Sequence, residues 1–113
     1  MSKHLSNYLR TFRKRSGLAQ HELAALLGCK HGSKVSRYER GDRIPGLDTL
    51  LAYDLVFQKP LRDLFAGEHD RVRQTVKRRA QTLYRRLDGN PKLTPALRRK
   101  LDFLTDLIYP PKT

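Results

Sequence analysis

Gln20-His21-Glu22-Leu23-Ala24-Ala25-Leu26-Leu27-Gly28-Cys29-Lys30-His31-Gly32-Ser33-Lys34-Val35-Ser36-Arg37-Tyr38-Glu39-Arg40-Gly41 reads as two short helices joined by a tight turn. Leu23, Ala24, Leu26 and Leu27 recur at helical spacing, and Gly28 closes the segment because glycine accepts the left-handed conformation that ends helices. Cys29 to Gly32 form the turn. The spacing predicts a second helix from about Ser33 to Arg40, with Ser33 as its cap and Val35 and Tyr38 facing inward. Close crossing of two helices needs small side chains, which Ala24 and Ala25 supply. The outward side then carries Ser33, Lys34, Ser36, Arg37 and Arg40. Short hydrogen-bonding groups and long cations are the types that bond base edges and phosphates. The layout is that of a helix-turn-helix.

On the N-terminal side, Leu5, Leu9 and Phe12 fall on one helical face, and Arg13, Lys14 and Arg15 crowd the end of that segment before Gly17. Cations there complement the helix dipole. On the C-terminal side, Leu47, Leu50, Leu51, Leu55 and Phe57 trace a fourth helix, and Pro60 opens a short fifth with Leu61, Leu64 and Phe65 as its inner face. Ala66-Gly67 is the expected boundary, which gives an N-terminal domain over 1–66 and an extension over 67–113. In the extension, Val72, Val76, Ala80, Leu83 and Leu87 mark one helix, and Leu97, Leu101, Leu104 and Ile108 mark another. Asp88-Gly89-Asn90-Pro91 is the turn between them, Thr94 is the cap of the second, and Pro110-Pro111 ends it. The expected fold class is all-α: five helices, then a C-terminal helical hairpin.

Composition narrows the function. The 113 residues hold 24 Lys+Arg against 11 Asp+Glu, a net charge of +13. Such a charge repels itself and suits a polyanionic partner. It is spread over both parts, with 12 basic and 6 acidic side chains in residues 1–66 and 12 and 5 in residues 67–113. One cysteine cannot form an internal disulfide, no apolar run approaches a membrane span, and Met1-Ser2-Lys3-His4 is not followed by a signal-peptide stretch. The expected compartment is the cytoplasm.

Residues 5–65 resemble the lambda-repressor-like helix-turn-helix family, of the Cro/phage-repressor or XRE type. The matching text is Leu9-x-x-x-Arg13-x-x-x-Gly17-Leu18-Ala19-Gln20-x-Glu22-Leu23-Ala24-x-x-Leu27-Gly28, then Val35-Ser36-Arg37-Tyr38-Glu39-x-Gly41, then Pro45 and Leu47-x-x-Leu50. The resemblance implies a five-helix lambda-repressor-like DNA-binding domain. It implies base contacts from Ser33, Lys34, Ser36 and Arg37, phosphate contacts from Gln20, Arg40 and Arg43, and a structural ion pair between Arg13 and Glu39. Two features depart from the family pattern. Ala19 stands where a Ser or Thr cap is usual, a loss of about 1 kcal/mol. The turn also holds one extra residue around Gly32, which leaves open whether His31, Gly32 or Ser33 leads the recognition helix.

The expected function is therefore a sequence-specific, double-stranded DNA-binding transcriptional regulator of repressor-like kind, with the 33–40 helix in the major groove and a homodimer as the working form. Two alternatives differ in class. One is an antitoxin-type interaction protein that binds a partner through residues 68–108 and regulates its own expression. The other is a general nucleic-acid or RNA-binding protein driven by charge. The hairpin is the expected surface for dimerisation or for a protein partner, its Tyr84, Phe103, Leu107 and Tyr109 lying off the main apolar stripes. Cys29, His31 and His21 lack a matching second pair and make a weak metal set. No phosphate loop and no nucleophile motif is present. No enzyme, metal, cofactor or membrane contact is expected.

Overall fold

The computed structural model describes residues 6–111. Leu5 therefore lies outside the described residues. The fold is all-α, with α1 (Leu9–Ser16), α2 (Gln20–Leu27), α3 (Gly32–Arg40), α4 (Leu47–Phe57), α5 (Leu61–Leu64), α6 (Ala66–Asp88) and α7 (Pro95–Ile108). No helix among the described residues is long and apolar enough to cross a membrane. Two compact units divide the chain, Met1–Asp70 and Arg71–Thr113. The division falls inside α6, because helical periodicity runs on through Ala66-Gly67.

In the first unit, Leu9, Leu23, Val35, Tyr53 and Leu64 are fully buried, and Ala24, Tyr38 and Phe65 nearly so. Each of α1 to α5 thus gives its apolar side to one core, the condition for short helices that would be marginal alone. The chain enters α1 later than the Leu5/Leu9/Phe12 spacing suggests. The Asn7 side chain explains this: its Oδ1 accepts from the Leu9 N–H at 3.0 Å, and its Nδ2 donates to the Tyr38 carbonyl at 3.0 Å. A side chain that satisfies the backbone in this way competes with helix and starts it downstream. The Tyr8 N–H donates to the Leu64 carbonyl at 2.8 Å and closes this segment onto α5.

Of the apolar residues that trace α4, Leu50 and Phe57 pack against the core and the other three do not. Leu47, Leu51 and Leu55 are 69%, 49% and 74% exposed, and Tyr53 takes the buried place. Tyr53 packs edge-to-face on Tyr38, centroids 6.2 Å apart, and tilts on Phe57 at 5.9 Å. An aromatic side chain buries more area than leucine and gains from such edge contacts, so it wins the inward position.

In the second unit, α7 keeps all four expected inner residues buried, Leu97, Leu101, Leu104 and Ile108. Thr94 caps it, its Oγ1 accepting from the Leu97 N–H at 3.1 Å. The stripe on α6 is different. Ala80 is buried against Leu104 and Ile108, with Tyr84 and Leu87 alongside, while Val72, Val76 and Leu83 are exposed. Length is the cause for the two valines. The 14 residues of α7 reach roughly 21 Å and the 23 of α6 roughly 35 Å, so α7 ends beside Ala80.

The Tyr53 hydroxyl is buried with no hydrogen-bond partner. Burial above all, then the negative charge of Glu39, pushes its pKa far above the ordinary tyrosine value, so it stays a neutral orphan. Tyr53→Phe removes that orphan and keeps the ring. The expected result is a gain of about 1 kcal/mol in urea unfolding. A lower unfolding midpoint would contradict it.

Candidate nucleic-acid interface

The position of α3 follows from how it meets α2. Gly28, at φ 77°, ends α2, and the Cys29 N–H returns to the Ala24 carbonyl at 2.8 Å. α3 then starts at Gly32, with His31 at the cap position and no side-chain cap bond. Ser33 is therefore in the first turn of α3 and is not its cap. The reason is a close approach. A Cβ on Gly32 would stand 3.1 Å from the His21 nitrogen and 3.2 Å from the Gln20 carbonyl carbon. The glycine that opens α3 thus stands where the two helices nearly touch. Ala24 is buried at the crossing, whereas Ala25 is exposed.

α2 compensates for its missing cap. Ala19 has no side-chain oxygen, but Glu22 Oε1 accepts from the Ala19 N–H at 2.8 Å, half of a capping box.

At the far end of α3, Glu39 meets Arg13 of α1. Arg13 Nε donates to Glu39 Oε2 at 2.6 Å and Nη2 to Oε1 at 3.1 Å, while Nη1 donates to the Leu18 carbonyl at 2.9 Å. The two side chains are 10% and 3% exposed. The hydrogen bond to Glu39 outweighs desolvation and raises the Arg13 pKa above its ordinary value. Gln20 Nε2 adds a third donor to the carboxylate, 3.1 Å from Oε1. The ion pair implied for Arg13 and Glu39 is thus present, and Gln20 belongs to it. Its amide retains a second proton for another acceptor.

With Val35 and Tyr38 inside, α3 turns Ser33, Lys34, Arg37 and Arg40 to solvent and leaves Ser36 half-buried. Arg40 Nε lies 3.1 Å from Asp42 Oδ2 on the surface, a pairing easily exchanged for another anion. Arg43 is exposed in the loop that leads to α4. Arg10, Gln20, Ser36 and Arg40 rim a shallow cleft floored by the Arg13–Glu39 pair. Arg10 was not among the expected contacts. Its signal in the sequence is its place one turn before Arg13, on the side of α1 that faces α3. Cys29, by contrast, packs against the core, and no three His, Cys, Asp or Glu side chains gather as a metal set among the described residues.

An α-helix with an apolar inner side, a polar and cationic outer side, and a rigid tie at each end is a rod that fits the major groove of duplex DNA. Residues 4–58 match the family model described as "Helix-turn-helix domain". That segment carries a helix-turn-helix domain, in keeping with the lambda-repressor-like resemblance, and such a domain points to a DNA-binding regulator. No curated protein and no solved structure matches the chain.

Glu39→Ala leaves the Arg13 guanidinium buried without its counter-charge. The expected cost in chemical denaturation is about 3–5 kcal/mol. The double variant Arg13→Met/Glu39→Leu should recover most of that loss. A Glu39→Ala protein as stable as the parent would show that the pair does not hold α3.

Proposed function

We propose that the chain is a cytoplasmic, sequence-specific regulator that binds double-stranded DNA as a homodimer and represses by occupying its operator. The observation that carries this reading is the outer side of α3. Ser33, Lys34, Ser36 and Arg37 offer hydrogen bonds there while Val35 and Tyr38 fix the helix from behind. A guanidinium can bond guanine O6 and N7 together, and lysine or serine can bond single acceptors. Arg43 and the cleft of Arg10, Gln20 and Arg40 flank that side and suit phosphates, which set register.

Pairing is supported by α4. Ile44, Leu47, Leu51 and Leu55 are all about half exposed or more, and the last three lie on one stripe. Residues 44–58 contain Asp48 and Asp54 and no Lys or Arg. On a chain of charge +13, two copies can meet here without opposing cations. The exposed apolar residues of the hairpin lack this advantage, since Leu83 and Phe103 share a groove with Arg99 and Lys100. Pairing is therefore assigned to α4, in place of the hairpin that the sequence pattern favoured.

Selection of bound duplexes from random DNA should return an inverted repeat with half-site centres about one helical turn, roughly 10 bp, apart. On that site Arg37→Ala should cost about 1–3 kcal/mol and relax preference at one base pair, while Arg43→Ala should weaken all duplexes alike. Selection without a motif, or equal effects of the two substitutions, would contradict base reading by α3.

Leu51→Glu/Leu55→Glu should convert a dimer into a monomer by light scattering and reduce affinity for the two-half-site duplex at least tenfold. Phe103→Ser should leave the mass unchanged. The opposite pattern would move pairing to the hairpin.

A further inference from the structure

Most of the net charge of this chain belongs to the second unit. Residues 71–113 hold 12 basic and 3 acidic side chains, a net +9, whereas residues 1–70 hold 12 and 8, a net +4. Between residues 71 and 87 there are seven cations and no carboxylate, and six of the seven are arginine. A solvated helix usually offsets its cations with acidic residues three or four positions away, and like charges at that spacing destabilise it. Glu68 and Asp70 stand three positions before Arg71 and Arg73, but from Lys77 to Arg86 α6 carries like charges with no carboxylate among them. Arg78, Arg79, Arg85 and Arg86 are exposed, and no carboxylate pairs with any of them among the described residues. The neighbour of Arg78 is the Thr75 hydroxyl, 3.4 Å from Nη2. α7 repeats the pattern. Arg98, Arg99 and Lys100 stand in its N-terminal half, where the helix dipole opposes cations, and among the described residues only Arg98 of the three is paired with a carboxylate, Asp102 at 3.4 Å.

Position adds to charge. Thr75, Arg78, Arg79, Thr82 and Arg86 line one shallow strip along α6. The threonine hydroxyls donate back to the Arg71 and Arg78 carbonyls at 3.1 Å each, so the guanidiniums are the donors left to an outside ligand. From Thr75 to Arg86 the strip runs roughly 16 Å. Duplex DNA carries about nine phosphate charges over that length. Guanidinium matches phosphate in a two-bond geometry. The strip itself has no apolar side chain, and the exposed apolar residues beside it on α6, Val72, Val76 and Leu83, are few and include no aromatic. That disfavours a membrane, whose surface helices bury an apolar face, and a protein interface, which needs an apolar centre.

We propose that the Thr75–Arg86 strip of α6 is a second DNA contact, which grips the phosphate backbone without reading sequence while α3 reads the bases. This rests on the DNA-binding reading of the first unit, and it adds that much of the affinity comes from the second.

The test uses the full chain and the variant Arg78→Gln/Arg79→Gln/Arg86→Gln, with circular dichroism to verify that helix content is kept. Two probes are titrated by fluorescence anisotropy across a range of salt concentration: the duplex recovered by selection, and a scrambled duplex of equal composition. The slope of log affinity against log salt should become shallower by about 2 to 3 for both probes. Affinity at low salt should fall by the same factor for both, so their ratio holds. Lysine at the same three positions should restore most of the slope. An unchanged slope in a folded variant would overturn the proposal. So would a variant that binds both duplexes normally but has lost binding to phosphatidylglycerol vesicles, which would make the strip a lipid contact. Failure of the sequence-specific reading looks different: the parent then binds both duplexes equally, whatever the α6 variant does.

Discussion

Glu39 is almost entirely removed from water, and its carboxylate accepts two hydrogen bonds from Arg13 and one from Gln20. Desolvating two charges is costly, and only near-ideal geometry with every lone pair engaged offsets that cost. Here the geometry is two parallel bonds, and the remaining Arg13 nitrogen is taken by the Leu18 carbonyl. The net contribution to stability can be small while the positional consequence is large. One charged group joins the middle of α1, the loop after it, the start of α2 and the end of α3. A helix held this way at its C-terminal end, and pressed against Gln20 and His21 through Gly32 at its start, has little freedom to tilt. The outer side of α3 thus points in one direction before any ligand arrives, and ligand binding costs correspondingly little reorganisation.

Much of this was legible from residue spacing, and the exceptions have physical causes. Val35 and Tyr38, three apart on a short polar segment, leave one choice of inner face, and both are buried. Leu97, Leu101, Leu104 and Ile108 likewise define one stripe, and Thr94 before Pro95 marks the helix start. α4 is apolar nearly all round, so periodicity cannot choose its inner face, and the outcome depends on what Tyr53 finds among Tyr38 and Phe57. The exposed valines of α6 are a matter of partner length, which no pattern within α6 records. The start of α3 turned on steric room. Serine is the better cap by propensity, yet the helix starts one residue before it, at Gly32, where a Cβ would crowd Gln20 and His21, and His31 takes the cap position. Among site residues, the Arg13–Glu39 pair was suggested by family resemblance, and Gln20 joined it because the carboxylate had a lone pair to spare. Arg10 is harder to read, because Ser36 and Arg40, which line the same cleft, come from another helix.

The two units divide the electrostatics in a way that suits the roles proposed for them. Reading a base edge needs a few donors held rigidly, and the first unit, at +4, supplies rigidity more than charge. Holding a polyanion needs charge with little demand on direction, and the second unit, at +9, supplies that. The cation-free run over residues 44–58 leaves a third kind of surface, apolar and slightly acidic, in the unit that on the proposed function sets two reading helices at a fixed separation. Reading, gripping and pairing would then occupy separate surfaces, so each could change in evolution without disturbing the others.

Amide chemical-shift mapping of the 15N-labelled full chain, titrated with the selected duplex and then with a scrambled one, tests the central claim most directly. The account predicts large shifts at Ser33, Lys34, Ser36 and Arg37 with the selected duplex, collapsing with the scrambled one, while shifts along α6 persist with both. Shifts confined to α6, with α3 unmoved by either duplex, would contradict it.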